Sequence, residues 1–329
     1  METVLVTGGA GFIGSNLTEK LVDDGANVLV LDNFDPYYDL SLKRKNIAKC
    51  QEKSSDQVTV INGSTTDKTL ISNVFDNHQI EVVYHQAAKA GVRPSVDNPV
   101  QYERNNVEGI LNLLEESRKN DVQTFVHASS SSVYGIPHYL PYDEQHPNEP
   151  QSPYGITKLT SEHYCNLYNE LYQLNTVNLR YFTVYGPRMR PNMAISNFVS
   201  RCVNGKPLVI YGDGKQTRDF TYIQDIVDAN MRLLHQEGVG GETLNIGSSD
   251  NISIRELAEY VVSETDTDVD IIHEDARDGD SRHTHADISK AEQLIGYDPE
   301  YGIRQGVQEF INWYMDNQNW YEPLIATSS

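Results

Sequence analysis

Positive charge is scarce in this chain. Its 329 residues carry 26 Lys and Arg against 47 Asp and Glu, a formal net charge of −21. Nucleic acids and anionic membranes both demand a basic footprint, so neither is an expected partner. An anionic small molecule would need its own local cluster of Arg or Lys. The acid excess fits a high-salt interior, and it fits an ordinarily acidic soluble enzyme equally well. Cysteine is also rare: Cys50, Cys165 and Cys202 are odd in number and lack metal-ligand spacing. A disulfide framework and a bound metal are therefore not expected, and the thiols read as reduced and packed. No apolar run approaches the ~20 residues that a membrane span requires. The N-terminus runs almost directly into Val4-Leu5-Val6, without a basic stretch and a cleavable apolar segment. The expectation is a cytoplasmic protein.

What is present is an alternation. Short β-rich runs at residues 3–7, 28–31, 58–61, 82–85 and 124–128 are separated by stretches with helical spacing, such as 15–24 and 98–119. Strands alternating with helices imply crossover connections and a parallel sheet. Beyond about residue 175 the pattern loosens into short strands (176–181, 208–211, 243–246) and helices at 195–204, 225–236, 254–265 and 303–317. The expected fold is α/β. A Rossmann-like doubly wound parallel sheet takes residues 1–175, and a smaller mixed α/β substrate lobe takes 176–329, with room for the lobes to interleave.

Between the first strand and the first helix lies Thr7-Gly8-Gly9-Ala10-Gly11-Phe12-Ile13-Gly14. Glycines at 8, 11 and 14 let the backbone turn tightly and let a pyrophosphate approach helix N–H groups. Asp32, followed by Asn33, ends the second strand and is placed to bind the adenosine ribose hydroxyls. A carboxylate there repels a 2′-phosphate, which favours NAD over NADP. Further cofactor contacts are expected from Phe12 and Ile13 of the loop and from the strand ends at Ser64, Thr65, Gln86, Ala87, Ala88 and Asn105.

Tyr154 and Lys158 stand four residues apart. On a helix they share one face, a turn apart. A cation so placed favours phenolate over phenol and draws the tyrosine down from its usual value near 10. Such a tyrosine exchanges protons with a substrate hydroxyl near neutral pH. On its own the pair is a weak signal; the glycine loop upstream gives it weight.

Together these segments resemble the extended short-chain dehydrogenases/reductases, specifically the nucleotide-sugar 4-epimerases. The resemblance is carried by the glycine loop, Asp32-Asn33, His85-Gln86-Ala87-Ala88, Asn105-Asn106-Val107 and Ser129-Ser130-Ser131-Ser132-Val133-Tyr134-Gly135. It continues through Ser152-Pro153-Tyr154-Gly155 to Lys158, Arg180-Tyr181-Phe182, Thr217-Arg218-Asp219-Phe220, and Arg277 with Asp280. The order is the family's, up to about residue 300. The resemblance implies that Tyr154 is the acid/base and that Lys158 also holds the nicotinamide ribose. It implies that Ser130 orients the proton at the sugar O4, with Ser131 as the alternative in a run of four serines. Tyr181 joins the expected cofactor contacts.

The implied reaction removes a proton and a hydride at C4 of a UDP-sugar, giving a transient 4-keto sugar. Return of the hydride to the other face inverts C4 and regenerates NAD, which should stay tightly bound. Ser131 and Ser132 stand where 4,6-dehydratases of the family carry an Asp-Glu pair, which argues against dehydration. Arg218 and Arg277 match diphosphate and uridine contacts, Asp280 a ribose acceptor, and Asn197 is a further candidate. The segment from Thr183 through Arg188 and Arg190 resembles UDP-glucuronate 4-epimerases more than UDP-galactose 4-epimerases, which usually carry Asn at the position of Thr183. An arginine facing C6 would pair with a uronate carboxylate, and Arg190 is the candidate ahead of Arg188. Both UDP-glucose/UDP-galactose and UDP-glucuronate/UDP-galacturonate stay open. A UDP-glucuronate decarboxylase or another 4-keto-forming nucleotide-sugar enzyme of the same fold is the alternative, and a non-catalytic NAD-binding regulator a remoter one.

Two positions depart from the family. Ser64 stands where an Asp often meets adenine, and Lys89 stands where many relatives have an uncharged residue. The resemblance further implies a homodimer built from helices near 98–118 and 155–172. Tyr164, Leu167, Tyr168 and Leu171 would lie in that interface, although an intramolecular core explains them as well.

Overall fold

The computed structural model describes residues 2–275 and 282–326. A seven-stranded sheet forms its centre. Strands β1 (Thr3–Thr7), β2 (Asn27–Asp32), β3 (Val58–Asn62), β4 (Val82–His85), β5 (Thr124–Ser130) and β6 (Thr176–Tyr181) are joined by the strand Thr243–Ile246. Their spatial order is β3-β2-β1-β4-β5-β6 followed by Thr243–Ile246, and every pairing is parallel. Helices cover both faces, so the strands are apolar throughout rather than alternating. In β1, Val4 and Val6 pack into one core cluster and Leu5 into the other, as alternate residues of a strand must.

The chain order reverses between β1 and β4. In an open parallel sheet, that switch point leaves a crevice at the strands' carboxyl ends. The helix α1 (Phe12–Asp23) starts there directly after the glycine loop. The helix Pro153–Tyr172 lies against β5 and β6. Ser152 caps it, its hydroxyl accepting from the Gly155 N–H at 3.1 Å, and Pro153 fills the first turn, where a missing N–H does no harm.

The expected cut between residues 175 and 176 falls at the start of β6. Two strands beyond it complete the sheet, so the lobes interleave. The remaining second lobe pairs Thr183–Tyr185 with Phe220–Tyr222, Leu208–Tyr211 with Ile271–Glu274, and Thr217–Arg218 with Ile252–Ser253. Buried Asp219 ties these pieces together. Its carboxylate accepts from the Ser248 N–H at 2.8 Å, the Ser248 hydroxyl at 2.9 Å and the Ala286 N–H at 3.0 Å.

The helix expected over 98–119 is interrupted. It runs as Pro99–Glu103, a π-helical turn Arg104–Glu108, and Gly109–Lys119. Gly109, just after the turn, packs closely on Thr65, where a Cβ would sit 2.4 Å from the hydroxyl oxygen. The turn also aims Asn106 inward, with its amide donating to the Lys89 carbonyl at 3.1 Å and the Thr157 hydroxyl at 2.9 Å. Such bulges are frequent at functional sites.

Candidate active site

A cleft of about 330 Å³ opens at the switch point. That is a usual size for a small-molecule site. Gly8 adopts φ +68, and its N–H donates to the Leu31 carbonyl at 2.7 Å, which folds the loop across the ends of β1 and β2. A Cβ on Gly14 would lie 2.3 Å from the Gly8 carbonyl oxygen. Only glycines permit this close approach of loop and helix, and it leaves the first N–H groups of α1 beside the cleft. The residues therefore fit a dinucleotide pyrophosphate.

Every cofactor residue expected from the sequence except Lys158 lines this cleft, from Gly8, Gly11, Phe12, Ile13 and Gly14 to Asp32, Asn33, Ser64, Thr65, Gln86, Ala87, Ala88, Asn105, Tyr154 and Tyr181. Buried Asp32 accepts from the Ala10 N–H at 3.2 Å, the Phe34 N–H at 2.8 Å and the Lys43 ammonium at 3.0 Å. Tyr181 accepts from the Gln86 amide at 3.1 Å and the Asn230 amide at 2.8 Å, which fixes its ring at the cleft floor. Sequence reasoning missed Tyr37, Tyr38 and Lys43, which also line the cleft. Lys43 sits on the helix Leu40–Lys53, whose predominantly polar composition hides it among solvated positions. Lys89 lines the cleft as well and pairs with Asp35 at 2.9 Å.

Tyr154 and Ser130 meet on the cleft wall. The Ser130 hydroxyl faces the Tyr154 phenol, donates to Ser132 Oγ at 3.1 Å and accepts from the Ser132 N–H at 3.1 Å. Ser131 and Ser132 instead line a second cavity of about 450 Å³, together with Tyr142, Gln151, Arg218 and Thr183. Thr183 borders both cavities. The serine run thus separates by direction, and Ser130 is the one beside the phenol.

The expectation that Lys158 draws Tyr154 toward phenolate is not met by this geometry. Burial raises the Tyr154 phenol, while the Ser130 hydroxyl and the Arg190 charge pull it back down. Lys158 lies beneath the cleft, 3% exposed, donating to the Ala128 carbonyl at 2.5 Å. Its own proton is held less tightly, down to about 8, because burial outweighs the opposing pull of Glu162. The cation acting on Tyr154 in this state is Arg190.

The two arginines of the loop after Thr183–Tyr185 diverge. Arg188 is buried at φ +69 and pairs with Glu19 on α1, away from both cavities. Arg190 lines the cleft, with its guanidinium 5.5 Å from the Tyr37 ring centroid, and forms no ion pair among the described residues. Arg218 reaches the second cavity and donates to the carbonyls of Thr217 at 2.9 Å and Arg282 at 3.2 Å. Asn197 is not brought to either cavity. It lies on the helix Ala194–Val203, and its amide is turned back to the Met193 carbonyl at 3.0 Å. Arg277 and Asp280 lie outside the described residues. Among those that are described, no group of three or more His, Cys, Asp or Glu is placed to hold a metal, and no helix is long and apolar enough to cross a membrane.

Comparison with known proteins agrees with this geometry. A family model described as GDP-mannose 4,6 dehydratase matches residues 5–310. The chain is 39% identical over 306 residues to an uncharacterized UDP-glucose epimerase of Bacillus subtilis, covering 92% of this chain and 95% of that protein. It is 37% identical over 318 residues to the UDP-glucuronate 4-epimerase of Thermodesulfobacterium geofontis, with 96% and 97% covered. The crystal structure of the UDP-glucuronic acid 4-epimerase from Bacillus cereus, in complex with UDP-glucuronic acid and NAD, superposes with a TM-score of 0.90 at 36% identity. The match covers 96% of this chain and 99% of that one.

Proposed function

The chain belongs to the family of the GDP-mannose 4,6 dehydratase model, among the extended short-chain dehydrogenases/reductases, and we propose that it is an NAD-dependent UDP-sugar 4-epimerase acting on UDP-glucuronate and UDP-galacturonate. It is an isomerase, and its cofactor is NAD, the molecule held by the similar Bacillus cereus enzyme. The family model's name does not carry dehydration over to this chain. Ser131 and Ser132 occupy the place of the acid pair, and hydroxyls lack a pKa suited to moving protons at C5 and C6.

NAD, when bound, supplies the acceptor and donor of the C4 hydride. The chain supplies position and a proton path. The glycine loop and Asp32 would hold the dinucleotide at the strand ends, Lys158 would reach its nicotinamide ribose from beneath the cleft, and the Tyr154 oxygen would take the C4 hydroxyl proton and later return it. Ser130 steadies that proton by hydrogen bonding to the phenol and to the sugar O4. Arg218 reaches the diphosphate from the second cavity.

The choice of a uronate rests on one observation. Arg190 stands in the cleft near Tyr154 without a carboxylate partner among the described residues, in a chain where acids outnumber bases 47 to 26. A guanidinium so placed is matched by a bidentate carboxylate from the ligand. Incubating the purified protein with UDP-glucuronate and with UDP-glucose, followed by NMR of the products, tests the reading. C4 epimers support it; a UDP-pentose would mean decarboxylation, and silence on both sugars with NAD bound would end it.

We also place the protein in the cytoplasm as a homodimer. Val100, Ile156, Leu167 and Leu171 are exposed on the helices Pro99–Glu103 and Pro153–Tyr172. Tyr168 does not belong to that surface. It is buried, with its hydroxyl donating to Glu115 at 2.5 Å. Light scattering tests the dimer.

A further inference from the structure

The helix that carries Tyr154 and Lys158 also carries a buried acid one turn further on. Glu162 is 2% exposed. Its two oxygens receive the Arg180 guanidinium at 2.9 and 2.7 Å, and one of them also accepts from the Ser129 hydroxyl at 2.5 Å. Ser129 precedes Ser130 in the chain and pairs in register with Arg180 across β5 and β6. Arg180 is held from its other side by the Tyr134 ring, 4.7 Å away, and the Tyr134 hydroxyl donates to Asn245 at 2.6 Å. One carboxylate thus links the catalytic helix, the strand end bearing Ser130, and the strand Thr243–Ile246.

The other groups around Lys158 carry no negative charge. His85 and His127 face it from β4 and β5. Burial and the Lys158 charge push His85 down to about 3 and His127 well below its usual value, so both stay neutral. Burial raises the Cys165 thiol, which keeps it protonated. Glu162 is the carboxylate whose field opposes the burial of the ammonium.

We propose that Glu162 is a positioning residue of this site: clamped by Arg180, it anchors Ser129 and keeps Lys158 an ammonium beneath the cleft. This rests on the epimerase reading for its effect on turnover, though not for its effect on Lys158. An ammonium in that place keeps the charge and the three N–H donors with which Lys158 would hold a ribose. Without Glu162, Lys158 loses its proton at lower pH. Activity that is lost as pH rises through about 8 in the native chain is then lost earlier.

The test compares Glu162→Gln with the native enzyme in two readouts. One is the Nζ titration of Lys158 in nitrogen-labelled protein, assigned by the signal missing from Lys158→Met. The other is the alkaline limb of kcat against pH. Both should move down by about one pH unit or more, and Glu162→Asp should restore part of the shift. The double variant Glu162→Gln/Arg180→Met leaves no uncompensated guanidinium and should fold with a smaller downward shift, because the opposing charge of Arg180 is gone too. A folded variant whose Lys158 titrates as in the native chain overturns the proposal, whatever its melting temperature. Native protein inert on every UDP-sugar would instead overturn the epimerase reading, and the Lys158 titration would still decide this inference.

Discussion

The two walls of the cleft are built by different means. The cofactor wall comes from backbone at the ends of regular strands: the Gly8–Gly14 loop, Asp32, Ser64-Thr65 and Gln86-Ala87-Ala88. The side proposed for the sugar comes from loops far apart in sequence: Thr183 and Arg190 border the cleft, while Ser131, Tyr142 and Arg218 join Thr183 around the second cavity. A wall made of backbone at a switch point can hold the same cofactor for many reactions. A wall made of side chains on loops can change its substrate by changing one residue. Tyr154 and Ser130 line the cleft, next in the chain to Ser131 and Ser132 on the second cavity, so under the proposed reading the chemistry touches both sides while the choice of sugar rests on one.

The comparison can be broken in several places. The largest effect should come from Tyr154→Phe, which removes the proton-exchanging oxygen and keeps the ring. Turnover should fall by about 10²–10⁴-fold, while NAD, quantified by absorbance after denaturation, remains bound. Loss of NAD together with activity would mean that the phenol serves the cofactor wall. Next is Arg188→Ala. It takes from Glu19 the guanidinium that helps hold its carboxyl below the usual range, leaving Lys53 at 3.3 Å as a partner, and should cost about 1–3 kcal/mol of stability in urea titrations. The preference between sugars should stay unchanged, because Arg188 faces neither cavity. On the cofactor wall, Gly14→Ala forces a methyl against the Gly8 carbonyl and should cost about 1–3 kcal/mol. Calorimetry should register that cost as weaker NAD binding by the apoprotein, with the relative KM values for the two sugars unmoved.

The same division explains what the sequence made legible. The cofactor wall could be read because its parts repeat a physical pattern: strand, glycine turn, helix, then an acid at the next strand end. Ser130 could be narrowed only to a pair, since a run of four serines carries no register. In three dimensions β5 ends at Ser130 and a 3-10 turn begins at Ser131, which leaves Ser130 beside the phenol and Ser131 on the second cavity. Asn197 could be named but not placed, because its helix face could not be set without the preceding turn, to whose Met193 carbonyl its amide turns back. The effect of Lys158 on Tyr154 was misjudged for a related reason: helical spacing shows which face two residues share, and says nothing about how deep the longer side chain buries its charge. The Glu162–Arg180 clamp left no local signal, because it joins a helix to a strand that pack only in the finished fold.

Arg190 carries the central claim, and Arg190→Ala tests it most directly through kcat/KM for UDP-glucuronate and UDP-glucose, measured side by side with the native enzyme. Losing a charge-assisted contact worth about 1.5–3 kcal/mol should lower the uronate value roughly ten- to a hundredfold, with the glucose value nearly unchanged. Equal losses on both sugars, or a native enzyme that ignores the uronate, would contradict the account.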